Sequence, residues 1–161
     1  MRFKTIILWL LSSMSLSAQN TLPQVDVKTL QGKPLLLQNL VEESSFTLIS
    51  FWASWCSPCK KELDAIALRY PAWKEKFDLQ VVAISIDNRR AVGKLPAMVK
   101  SKDWPYTILI ANEEEMRKAF NFQTIPQTFI VNRQGKIVYA HNGYVPGDEV
   151  ALEKKFTSLT K

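Results

Sequence analysis

Cys56 and Cys59 are the only cysteines in this chain of 161 residues, and Ser57 and Pro58 stand between them. A Cys-x-x-Cys pair suits two chemistries, half of a zinc site or a dithiol that cycles with a disulfide. The zinc reading fails on ligand count. A second Cys-x-x-Cys is lacking and His141 is the sole histidine, so a closed set of four nitrogen and sulfur ligands cannot be assembled. No metal is expected. A bridge over two residues closes too small a loop to constrain the unfolded chain much, so a purely structural staple explains the pair poorly. Redox exchange is the better reading.

The chemistry depends on where the pair sits. Phe46–Ala53 is apolar and rich in strand formers, the pattern of a strand buried on both faces. Beyond the cysteines, Cys59, Leu63, Ile66 and Tyr70 recur at spacings of four, three and four, one face of a helix. Cys56 therefore falls at a helix N-terminus, where unpaired N–H groups and the helix dipole favour thiolate over thiol. Cys56 is expected to be the attacking sulfur and Cys59, on the inward face, the resolving one. Pro58 lies in the first turn, where a missing N–H is harmless, and stiffens the bridge. Ser57 can add a polar contact. Trp52 reads as core, and Trp55, beside the nucleophile, as docking surface. Glu62 lies on or beside the apolar face. Spacing leaves two readings open: it curls out to pair with Lys60 or Lys61, or it is partly buried with a raised pKa and moves a proton on or off Cys59.

Other elements must position this site. Residues 25–40 read as a β-hairpin turning at Gly32-Lys33-Pro34. Pro71 marks the end of the first long helix or a kink in it. Leu79–Ile86 is a second buried strand, followed by a helical stretch over Arg90–Lys102 with Pro96 at its start or as a kink, and Tyr106–Ile110 is a short extended segment. Asn112 caps a helix reaching Phe120, and Glu115 fits a capping box. Thr128–Val131 and Lys136–His141 form a closing hairpin around Asn132–Gly135, and Asp148 is the expected N-cap of a final helix to Leu159. Strands alternating with helices imply an α/β fold with a parallel component, made mixed by the closing hairpin. His141 and Asn142 read as surface residues.

Residues 1–18 stand apart. Arg2 and Lys4 precede an apolar run, Ile6–Leu11, and a small-residue stretch ending at Ala18, the order of a cleaved export signal. The alternative is an uncleaved membrane anchor, although the apolar run is short of the ~20 residues that a span needs. No cysteine stands directly after the cut to carry a lipid. The rest, residues 19–161, reads as one domain. Removing Arg2 and Lys4 lowers a net charge of +6 by two. The remaining basic residues are dispersed, so a nucleic-acid partner is not indicated.

The string FWASWCSPCK resembles the active-site segment of thioredoxins. Taken with the Gly32-Lys33-Pro34 turn, VVAISID, DWPYTIL, TIPQTFIVN and QGKIVYAHNGY, it resembles the TlpA/ResA-type exported thiol–disulfide oxidoreductases over roughly residues 23–159. The resemblance implies a thioredoxin-like fold: a central mixed sheet flanked by helices, an N-terminal hairpin and an inserted βα segment. It implies that Cys56 and Cys59 are the redox pair and that Glu62 tunes them, which favours the buried reading of that acid. It implies that Pro126 follows a cis bond facing the cysteines, with Ile125 offering its backbone to a substrate strand. Thioredoxins proper carry a buried Asp in the strand before the active site; Ser50 stands there instead and cannot act as that base.

The expected function is exchange of a dithiol for a disulfide with protein substrates, as a reductase and with no bound cofactor, by a monomer in the periplasm, some relatives serving cytochrome c maturation. The resemblance implies a membrane thiol transporter of the DsbD/CcdA kind as electron donor. Two alternatives stand beside this. One is a thiol peroxidase of the peroxiredoxin kind, although Phe51–Trp55 lacks the Thr of the Pro-x-x-x-Thr-x-x-Cys setting. The other is a non-catalytic binding module stabilised by its cysteines.

Overall fold

The computed structural model describes residues 20–161, so the export segment expected over residues 1–18 lies outside the described residues. The hairpin forms as β1 (Asp26–Thr29) and β2 (Pro34–Leu36), turning at Gly32, whose φ of +82° suits glycine. It ends earlier than the sequence suggests. Leu37–Val41 is a short helix, α1, with Leu37 and Val41 one helical turn apart and both buried.

The centre of the molecule is β3 (Phe46–Trp52), buried along its length beyond Phe46. It leads into α2 (Ser57–Phe77), which runs past Pro71 rather than ending there. The physical reason is the buried stripe, which continues through Tyr70, Trp73 and Phe77 while Pro71 faces solvent. Packing of that stripe outweighs the lost backbone hydrogen bond. The helix closes at Asp78, in the left-handed region, whose carboxylate accepts from the Ser45 backbone N–H and hydroxyl.

β4 (Leu79–Ser85) follows. The single helical stretch expected next is two helices, α3 (Arg89–Val92) and α4 (Leu95–Lys102), interrupted at Gly93-Lys94. Asn88 caps the first, and Pro96 sits in the first turn of the second. β5 (Thr107–Ile110) and α5 (Glu113–Ala119) come next; Asn112 caps α5 by accepting from the Glu115 N–H at 3.0 Å. β6 (Gln127–Asn132), β7 (Ile137–Asn142) and α6 (Asp148–Leu159) complete the chain. Gly147, not Asp148, is the N-cap of α6. Gly147 takes a φ of +108° that disfavours side chains, and the Asp148 carboxylate accepts from the Val145 N–H at 2.8 Å instead.

The strands of the described residues form one sheet of seven in the order β2-β1-β5-β4-β3-β6-β7. β3 pairs in parallel with β4 and antiparallel with β6, so the sheet is mixed. α3, α4 and β5 are an insertion between β4 and α5. They are pinned to α2, because Trp104 Nε1 and Lys102 Nζ both bond Asp64 and the Tyr106 hydroxyl donates to the Leu63 carbonyl. α2 and α6 share one face over Leu48, Ile66, Tyr70, Trp73, Leu152 and Phe156. Phe51 packs with Phe120, Phe122 and Phe129 on the other. Cys56 lies at the Trp52 end of the sheet. At the opposite end, beyond Phe46 and Asn132, the Leu22 N–H donates to the Gly135 carbonyl at 2.7 Å, and Thr21 bridges Lys136.

Candidate active site

The segment between β3 and α2 is tied to the neighbouring strand. The Ser54 N–H and hydroxyl donate to the Asp87 carboxylate at 2.8 and 2.7 Å, and the Ser85 hydroxyl donates to it at 2.8 Å. Lys60 Nζ holds the Ser54 carbonyl at 2.9 Å, and the Cys56 N–H donates to the Ala53 carbonyl at 3.0 Å. Cys56 is thereby fixed as the N-cap of α2, its sulfur accepting from the Cys59 N–H at 3.3 Å. The two sulfurs are joined as a disulfide. Cys59 is fully enclosed and Cys56 lies nearer the surface. Trp55, Ser57 and Pro58 surround the pair and are exposed, Trp55 to 63%, whereas Trp52 is buried.

The Cys56 sulfur lies 4.0 Å from the Ile125 carbonyl oxygen. The Ile125–Pro126 bond is cis. Pairing of β6 with β3 starts at Gln127, so Ile125 stands beyond the ladder, next to the sulfur. Asn142, read from sequence as a plain surface residue, holds this bend. Its side chain exchanges hydrogen bonds with Thr124 and donates to Gln127 Oε1 at 3.0 Å. The Gly143 N–H adds a bond to the Pro126 carbonyl at 2.8 Å. His141 is also more than surface: half-buried, its Nε2 lies 3.1 Å from Asp148 Oδ2.

Glu62 points inward, one helical turn beyond Cys59, and is 1% exposed. The outward pairing with Lys60 or Lys61 does not form; Lys60 is engaged with Ser54. The Ser50 hydroxyl donates to Glu62 Oε2 and the Thr128 hydroxyl to Oε1, each at 2.8 Å. Ser50 and Thr128 are cross-strand partners of β3 and β6, so the carboxyl is cradled by a matched pair of hydroxyls. Burial outweighs those two donors and pushes the Glu62 pKa up to about 7. A carboxyl with that value exchanges protons near neutrality. Ser50, noted in the sequence for the acid it replaces, is thus a ligand of the acid that is present.

Asp87 was not singled out from the sequence. Its partner Ser54 is 33 residues away, and only an acid directly after a buried strand hints at its place.

The family described as AhpC/TSA matches residues 18–140. Thiol-disulfide oxidoreductase ResA of Bacillus subtilis (strain 168) is 27% identical over 130 residues, covering 80% of this chain and 69% of that protein. The ResA of Bacillus thuringiensis subsp. konkukian (strain 97-27) is 28% identical over 121 residues, covering 75% of this chain and 67% of its own length. Among solved structures, an uncharacterized thioredoxin-like protein from Porphyromonas gingivalis is 36% identical with a TM-score of 0.75, covering 86% of this chain and 90% of the other. StoA from Bacillus subtilis is 25% identical with a TM-score of 0.63, covering 83% and 95%.

Proposed function

This chain belongs to the AhpC/TSA family and is a thioredoxin-like thiol–disulfide oxidoreductase, and from that premise we propose that it reduces protein disulfides outside the cytosol. The observation that carries the reading is the arrangement of the pair: a Cys56–Cys59 disulfide at a helix N-terminus, beside a cis Ile125–Pro126 bend, with a buried Glu62 behind it.

In this reading the bonded pair is the product state. In the reduced protein the Cys56 thiolate attacks one sulfur of a substrate disulfide. A mixed disulfide forms and the first substrate thiolate leaves. Cys59 gives its proton to the Glu62 carboxylate and attacks the Cys56 sulfur, which releases the second substrate thiolate and closes the Cys56–Cys59 bond. Two electrons pass to the substrate. Glu62 later returns the proton when the pair is reduced again. Ile125 offers its backbone to the substrate strand, and Trp55, Ser57 and Pro58 form the contact surface. The electrons come from a membrane thiol transporter of the DsbD/CcdA kind. Residues 1–18 direct export to the periplasm, where disulfides in apocytochrome c are one substrate class.

Insulin-disulfide reduction tests this. The wild-type protein with a thiol donor is expected to precipitate the insulin B chain, and Cys56→Ser to abolish that with little change in melting temperature. Unchanged activity in Cys56→Ser would leave only a binding module. Peroxide consumption faster than insulin reduction would favour the peroxidase instead. The midpoint potential decides direction: ~−270 mV or lower marks a reductase, and ~−120 mV an oxidase.

A further inference from the structure

His141 and Asp148 take no part in the exchange just described, yet they stand on the Glu62 side of the sheet. Thr128 donates to Glu62 Oε1, and Thr128 is the direct cross-strand partner of His141. Opposed residues of an antiparallel pair project from the same face with Cβ atoms about 4.5–5.5 Å apart. The His141 side chain therefore leaves the sheet beside that of Thr128, whose hydroxyl holds the carboxyl. It is oriented from both sides. Asp148 Oδ2 lies 3.1 Å from its Nε2, and its ring stacks on Tyr139 at 6.3 Å. The carboxylate that aims it is itself fixed by the Val145 N–H. With 30% of its side chain exposed, His141 reaches solvent protons that the buried Glu62 does not.

The other groups around Glu62 are accounted for. Ser50 and Thr128 donate to it. The Tyr106 and Tyr144 hydroxyls are engaged by the Leu63 carbonyl and by Glu149. Of the cations on neighbouring elements, Lys60 is held by the Ser54 carbonyl, Lys102 by Asp64, Arg69 and Lys76 by Glu153, and Lys155 by the Tyr139 ring, while Lys61 and Lys74 are exposed on α2. The charges of His141 and Asp148 both reach the Glu62 carboxyl, with opposite signs.

We propose that His141, oriented by Asp148, is a positioning residue of the thiol-exchange site, its charge beside Thr128 governing whether the Glu62 carboxyl holds or releases its proton. The inference rests on the reading of Glu62 as the proton carrier for Cys59. A protonated His141 favours the Glu62 carboxylate, ready to receive the Cys59 proton, and Asp148 opposes it. Proton transfer at the enclosed pair is thereby coupled to a charge that lies nearer the surface.

The test is a pH titration of the Glu62 carboxyl by carbon-13 NMR, with glutamate-labelled full-length protein in the disulfide form and the signal assigned by its loss in Glu62→Gln. His141→Gln is expected to raise the midpoint by roughly half a pH unit or more. Asp148→Asn added to that variant is expected to bring it back down, and His141→Lys to keep it near the wild-type value. A purely structural role would move the midpoint the same way in both partners' variants. That result, or an unmoved midpoint in His141→Gln, overturns the proposal. In the reduced protein the pH profile of Cys59 alkylation is expected to follow the same order. Because the titration uses the disulfide form, its outcome is independent of whether the protein reduces insulin.

Discussion

Glu62 concentrates the chemistry of a single residue into a measurable liability. Its carboxyl is enclosed, and its pKa stands at about 7 against an ordinary 4.5. The unfolded chain therefore releases this proton at lower pH than the folded one does. Stability conferred by the neutral carboxyl is complete below about pH 4.5 and is lost as pH rises through 7. The shift corresponds to roughly 3 kcal/mol. Glu62→Gln is thus expected to be more stable than wild type at pH 8, by about 1–3 kcal/mol, with the gap closing by pH 4; urea unfolding of the disulfide form at the two pH values checks this. An unchanging gap would place the carboxyl in contact with water. Asp87 carries a second prediction. Asp87→Ala leaves the Ser54 N–H, the Ser54 hydroxyl and the Ser85 hydroxyl without their acceptor and is expected to lower stability by roughly 2–4 kcal/mol in the same assay. Of these two acids the sequence shows one readily. Glu62 follows Cys59 by three residues, which puts it on or beside the apolar face and leaves burial open until the family resemblance favours it, whereas Asp87 matters through a partner in the segment after another strand, beyond the reach of periodicity.

At the scale of elements, α2 is the one whose local signal misleads. Pro71 reads as an end or a kink, and of these the end is not what forms: the helix continues to Phe77 because Trp73 and Phe77 extend its buried stripe. Since Pro71 faces solvent, Pro71→Ala restores a backbone donor without disturbing the core. It is expected to raise stability by about 1–2 kcal/mol, less than the full penalty of proline because the substitution also loosens the unfolded chain. A higher denaturation midpoint with an unchanged slope checks it. The strands β3, β4 and β6 are legible because each is an apolar run that must be covered on both faces. The short elements are not. Whether residues 37–41 extend a hairpin or turn into α1 depends on where Leu37 and Val41 find cover. The split between α3 and α4 depends likewise on Leu95, fully buried and at the start of its own helix. Periodicity over four or five residues cannot separate such alternatives.

Across the whole molecule, the contact surface and the chemistry share one end of the sheet. Trp55 stands exposed there beside Cys56, with Ile125 across from it. Removing the indole is expected to slow reduction of insulin about tenfold, some 1.4 kcal/mol of docking, while leaving reaction with a small disulfide reagent nearly unchanged; equal losses with both substrates would mean that the sulfur itself had moved. The thioredoxin-like architecture was legible from motifs in their order along the chain. The strand order, and the crossing of Glu62 onto Thr128, belong to pairings between distant segments that no local pattern encodes. The opposite end of the sheet has its own consequence. Thr21 and Leu22 are fastened against the Asn132–Lys136 turn, a full strand length of about 20 Å from the disulfide. Thr21 and Leu22 therefore mark the pole of the sheet away from Cys56. A surface or label coupled on that side would hold the molecule from behind, its reactive sulfur turned outward toward passing partners.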